Sequence, residues 1–336
     1  MSEVGSGPNP VRVAWSRVGL FYGIAFGGAA LIGLAFAAAR VNLGRSAPLW
    51  TQLIVALVYM PLPMIAGLAV ERRAGRRPLL RDLGNDISRL LGRIAVVGAV
   101  GLVLIWACSL GLEFLAGNLL HLPGAGAWAS SAAELEANLQ AMLPGAPSAG
   151  TPPLGLLYPA MLITGITSGF TVNAVFALGE EYGWRGVLAD ELAPLGPARS
   201  TLLTGVLWGL WHVPLIVLGF NFGPQWGAGM AAMVVFCLAL SPLLRWGRVQ
   251  TGSVLAPAVL HGGFNGMSGL MVLLISGASP LMAPPVGLVG AAAVGCSFLL
   301  GWRFAPRRWA RAAAPDSVEP IPPPGVPTAP RPSRRS

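Results

Sequence analysis

The sequence predicts an all-α, polytopic integral membrane bundle of about eight transmembrane helices with both termini cytoplasmic. Three observations predict it. Only 10% of the 336 residues are charged, against 54% hydrophobic, whereas a soluble domain carries about 25% charged residues; an ordinary soluble enzyme is excluded. Eight apolar runs reach or approach the roughly 20 residues that cross the hydrocarbon as a helix. The basic residues then fall between these runs in alternate loops, as orientation in a bilayer requires. All 22 of them are arginine, the formal charge is +9 and the mean hydropathy is +0.66. A nucleic-acid partner would need those arginines as a stripe on a folded domain. Membrane lipid, and no nucleic acid, is therefore the expected contact.

The runs lie at 15–39, 49–70, 94–118, 155–188, 199–220, 227–244, 251–276 and 283–302. Residues 1–14 are polar and read as a cytoplasmic tail, and the first run is too long for a signal-peptide core, so it reads as a retained span. Arg72, Arg73, Arg76, Arg77, Arg81, Arg89 and Arg93 follow the second run, whereas Leu119 to Pro153 contains no arginine. Arg245 and Arg248 occupy the loop after the sixth run, and Arg303, Arg307, Arg308 and Arg311 follow the eighth. Only Arg40 and Arg45 oppose this alternation. The 72–93 loop reads as a solvated face drawn to anionic headgroups. Ser131 and Glu134 have capping-box spacing for a short outer helix lying on the membrane surface, and Glu113 is expected to reach the external headgroups. Residues 303–336, rich in Pro and Arg, cannot bury a core and are expected to be a disordered cytoplasmic tail. Cys108, Cys237 and Cys296 each stand inside an apolar run and read as small buried hydrophobes.

An ionisable group inside the hydrocarbon costs about 2.5–3.5 kcal/mol on insertion scales, so the few present need an explanation. Glu180 and Glu181 precede Arg185 in Gly179-Glu180-Glu181-Tyr182-Gly183-Trp184-Arg185. On a helix Glu181 and Arg185 stand one turn apart and can pair, while Glu180 points about 100° away. His212 lies in the fifth run, and His261 and Asn265 share a face in the seventh. From the rise of about 1.5 Å per residue, His212 is about 20 Å deep and both His261 and Glu180 about 15 Å. Each feature alone has a plain reading: a salt-bridged helix end, a satisfied core histidine, an interhelical hydrogen bond. Their common depth on three helices points to one site. Gly183, Gly186, Gly262 and Gly263 beside it suit close helix approach. His121 falls in the outer loop and is not counted with the group.

Two chemistries suit these residues. In one, Glu180 acts as the base toward water, His212 orients the water or shuttles its proton, and neutral His261 with the Asn265 amide donates to the developing oxyanion. In the other, Glu180, His212 and His261 form a two-histidine, one-carboxylate set around Zn²⁺ with an open position for water. A transporter or proton relay built on the same residues is a further alternative.

Glu-Glu-x-x-x-Arg at 180–185, aromatic-x-x-x-His at 208–212 and His-x-x-x-Asn at 261–265, in this order, resemble the CPBP family of intramembrane proteases related to the CAAX-processing endopeptidase. The motifs fall within 155–276, inside a transmembrane domain of residues 15–302. The resemblance implies a multi-pass protein of the bacterial plasma membrane that hydrolyses a membrane-bound protein or peptide, prenylated or otherwise hydrophobic. It implies that Glu180 activates water, His212 assists, and His261 and Asn265 stabilise the oxyanion, with Glu181 and Arg185 as structural support. The family has been described both as metal-dependent and as glutamate-type, and some members serve in bacteriocin immunity. Trp208 stands where the family usually has phenylalanine, a change expected to alter little beyond pocket shape.

Overall fold

A computed structural model of the chain describes residues 12–44, 47–77, 87–142 and 152–304. The tails expected at 1–14 and 303–336 lie largely outside the described residues, as do Arg45 and Arg81. Every apolar run is helical. α1 (Trp15–Ala38) is followed by α2 (Leu49–Ile54), which passes through a π-helical stretch into α3 (Leu62–Arg73). Next come α4 (Ile87–Glu113), with a π-helical extension to Leu119, and the outer α5 (Ala132–Met142). α6 (Leu154–Gly169), α7 (Val172–Glu181) and α8 (Leu188–Glu191) lead to α9 (Pro197–Trp211) and α10 (Val213–Ile216). α11 (Trp226–Thr251), α12 (Leu255–Leu274) and α13 (Leu288–Phe304) complete the bundle.

Among the described residues, four segments are long and apolar enough to cross a membrane: Trp15–Ala38, Leu49–Arg73, Leu90–Leu119 and Gly223–Thr251. A bent pair, Gly155–Gly169 with Val172–Glu191, makes a fifth if counted as one span. The single run expected at 155–188 is therefore two helices meeting at 58°. Thr171 leaves helical backbone there, with φ −131° and ψ −123°. The run at 199–220 is likewise interrupted, because α9 ends at Trp211 and the chain restarts after His212 with Pro214 near the head of α10; proline fits a helix start and not its interior.

α12 is the central element, packed against α4, α6, α7 and α11. Its approach to α7 depends on Gly262, where a Cβ would stand 2.6 Å from the backbone of Asn173 and Ala174. α11 runs on to Thr251 and stops at Gly252, whose φ of 74° is a glycine conformation and whose N–H caps the Arg248 carbonyl. Arg245 and Arg248, expected in a loop, thus ride on the last two turns of a helix.

One group of charged residues gathers at one end. Arg17 and Arg76 both pair with Glu191, the former at 2.8 Å, and Arg248 pairs with Asp190 at 3.1 Å. This joins the start of α1, the segment after α3, the end of α8 and the end of α11 in one layer. At the opposite end, Ser131 Oγ accepts the Glu134 N–H as a capping box requires, while the Glu134 carboxylate accepts from Ser130 N. α5 does more than lie on a surface: Asn138 Nδ2 donates to Leu273 O and Ser276 Oγ. A two-residue antiparallel ladder, Ala127–Trp128 against Ile275–Ser276, closes this end. Glu113, expected among external headgroups, is instead 1% exposed, because the chain from Gly126 covers the π-helical turn at Gly117 beside it. All three cysteines are free thiols; Cys237 is buried and Cys108 and Cys296 are half-buried.

Candidate active site

Glu180 and Glu181 end α7, and the chain continues as a π-helical stretch, Tyr182–Val187, whose six residues are all buried. Such stretches widen the helix locally and recur at functional sites. The stretch is seated by Gly183, where a Cβ would fall 2.3 Å from the Pro63 carbonyl oxygen. Tyr182 Oη donates to Glu71 Oε2 at 2.5 Å, tying the stretch to α3.

The two glutamates divide their roles. Glu181 is fully buried, and its Oε1 accepts from Arg185 Nη1 at 3.1 Å and from His261 Nδ1 at 2.9 Å. Arg185 also donates Nη2 to Ser241 Oγ at 3.0 Å and places its guanidinium carbon 4.0 Å from the Trp208 ring centroid. Glu180, 3% exposed, accepts from Trp208 Nε1 at 2.7 Å through Oε2; Oε1 makes no protein hydrogen bond. One carboxylate thus orients a histidine and neutralises an arginine through Oε1, its Oε2 buried and unpartnered, while the other is held by a single indole donor.

Both histidines are held by Nδ1. His212 Nδ1 stands 2.8 Å from the Trp208 carbonyl, which can only accept, so Nδ1 carries the proton and Nε2 of the neutral ring is a lone pair. His261 Nδ1 donates to Glu181 in the same sense, and its ring meets Trp208 edge-on at 5.4 Å. A neutral His261 therefore has no proton left for an oxyanion; only its imidazolium form donates from Nε2. Asn265 lies one turn further along α12, exposed and without a hydrogen bond to the cluster. The structure thus links Glu180, Glu181, Arg185, Trp208, His212 and His261 and leaves Asn265 at the edge.

Among the described residues no three His, Cys, Asp or Glu side chains stand close enough to hold a metal ion. Glu180, His212 and His261, the ligand set expected if a metal is bound, do not make such a group.

Two contributors were not visible in the sequence. Ser241 is an ordinary small polar residue in an apolar run, and Tyr59, whose hydroxyl donates to the Trp211 carbonyl at 2.5 Å, gives no signal by type or spacing. Trp208 was visible as an aromatic, but its indole N–H gives it a bond to Glu180 that phenylalanine cannot make; the substitution changes more than pocket shape.

Residues 158–267 match the family model described as Type II CAAX prenyl endopeptidase Rce1-like. Over this segment the chain is similar to the Rce1-like family. The segment covers roughly a third of the chain and contains all three motifs, so the resemblance to the CPBP proteases is borne out over the residues that carry the cluster. The similarity supports a peptidase at family level, and together with the apolar helices it supports an integral, multi-pass membrane protein. No curated protein and no solved structure gave a match.

Proposed function

We propose that the chain is an intramembrane endopeptidase of the CAAX-processing type that cleaves a prenylated or otherwise hydrophobic membrane-bound protein or peptide with water activated by Glu180. The observation that carries this reading is the unequal treatment of the two carboxylates: Glu181, fully buried, meets both Arg185 and His261 through Oε1, whereas Glu180 is bound only by the Trp208 indole and keeps Oε1 available. Buried charges persist when they are paired. With His261 as imidazolium the cluster balances, Glu180 and Glu181 against Arg185 and His261. Glu180 Oε1 then takes a proton from water, and the hydroxide attacks the scissile carbonyl carbon. His261 Nε2–H, with the Asn265 amide when substrate covers it, donates to the oxyanion. His212 Nε2, a lone pair, accepts the second water proton as a hydrogen bond and aims the nucleophile. Glu180 returns its proton to the leaving amine as the C–N bond breaks.

Eight membrane crossings with both termini on the arginine-rich side, and a bacterial plasma-membrane location, complete the reading. The test uses purified protein in nanodiscs with a farnesylated peptide ending in a CAAX sequence, read by mass spectrometry. Wild-type protein releases the C-terminal fragment, and Glu180→Gln, still monodisperse, releases none. Equal cleavage by Glu180→Gln overturns the proposal.

A further inference from the structure

On the arginine-rich side of the cluster lies a second feature that catalysis does not use, a cavity of about 610 Å³. Its walls come from the π-helical stretch and α8, the first two turns of α9, and the last turns of α11. Arg185, Arg245 and Arg248 line it, with Asp190 as the one carboxylate among the lining residues. Asp190 is paired with Arg248 at 3.1 Å. Ser200 and Thr204 also line it, at 1% and 4% exposure, and Ser200 Oγ and Thr204 Oγ1, set into its wall, have no hydrogen-bond partner. Buried hydroxyls left unpaired are costly, and two of them in the wall of one cationic cavity mark a place that an acceptor-rich anion would complete. Arg185 separates this cavity from Glu180, since its guanidinium is held by Glu181 and Ser241 and lies over Trp208. The cavity is therefore not the entry path to Glu180 past that side chain.

We propose that this cavity binds a phosphate group, that of an anionic phospholipid in the leaflet at the arginine-rich end. Phosphate matches the donors: its oxygens accept from guanidinium forks and hydroxyls together. The level matches as well. Arg245 and Arg248 are on the final turns of the Gly223–Thr251 crossing segment, so the cavity opens where lipid headgroups lie, and basic hollows between helices at that depth suit lipid phosphates. The volume falls within the few hundred cubic ångströms typical of small-ligand sites.

The test compares full-length protein in nanodiscs of phosphatidylcholine alone, of phosphatidylcholine with phosphatidylglycerol, and of phosphatidylcholine with added inorganic phosphate. Bound lipid is read by native mass spectrometry and the thermal midpoint in parallel. Phosphatidylglycerol is expected to be retained and to raise the midpoint, as any ligand of the folded state does. Arg245→Gln and Thr204→Val are each expected to lower that retention by about tenfold, the effect of losing a bond to a charged group. Because Thr204 Oγ1 has no protein partner, Thr204→Val should fold as well as wild type in phosphatidylcholine, which separates lost binding from lost folding. Equal retention of the two lipids, or unchanged phosphatidylglycerol retention in Thr204→Val and Arg245→Gln, overturns the proposal. Inorganic phosphate binding as tightly as the anionic lipid overturns the lipid as its source.

Discussion

Replacing Trp208 by phenylalanine removes one hydrogen bond while keeping an aromatic ring beside Arg185 and His261. A bond to a charged group contributes about 1.5–3 kcal/mol, so Trp208→Phe should lower kcat at least about tenfold with KM nearly unchanged. Steady-state kinetics on the farnesylated peptide checks the split. A change in KM alone would show that the indole shapes binding rather than the base. Removing Arg185 acts on stability instead, because it leaves Glu181 buried with a charge only His261 can meet; Arg185→Met should cost about 3–5 kcal/mol. Adding Glu181→Met should restore much of the thermal midpoint yet leave cleavage absent, since His261 then has nothing to orient it. These residues were legible because a charge inside an apolar run has a cost that demands a reason. Ser241 and Tyr59 were not, because a hydroxyl on an apolar helix carries no comparable signature.

The elements show where periodicity and composition stop being informative. All eight apolar runs formed helices, since apolar length alone drives that choice in lipid. The break at Phe170–Thr171 escaped notice because Gly169, Phe170 and Thr171 do not interrupt the hydropathy of the run; what separates α6 from α7 is their fit against α12, a tertiary matter. The end of α11 was misplaced for the opposite reason. Arginine marks where a chain leaves the membrane, but a helix ends where its carbonyls are capped, at Gly252. The division of labour between Glu180 and Glu181 rests on the π-helical stretch and its glycine. Gly183→Ala places a methyl group against the Pro63 backbone, an overpacking that costs about 1–3 kcal/mol. Thermal unfolding should register that loss, and Gly27→Ala, where a Cβ would meet nothing within 4 Å, serves as the neutral control.

For the whole molecule, the charge balance is a statement about sidedness. Arg17, Arg76, Arg199, Arg245 and Arg248 come from distant parts of the chain to one end, which the positive-inside rule assigns to the cytoplasm. In a background without Cys108, Cys237 and Cys296, a membrane-impermeant thiol reagent on intact cells should label Ala133→Cys on α5 and spare Ala198→Cys at the head of α9; the reverse pattern would invert the orientation. The constellation on three helices was predictable as a layer by depth alone. Its internal wiring, above all His261 held by Glu181, needed the packed bundle. The most direct measurement of the central claim compares, by mass spectrometry, the membrane peptidomes of cells carrying wild-type protein and cells carrying Glu180→Gln at equal abundance. The account predicts fragments with new termini in the first and their absence in the second, and the same fragments in both would contradict it.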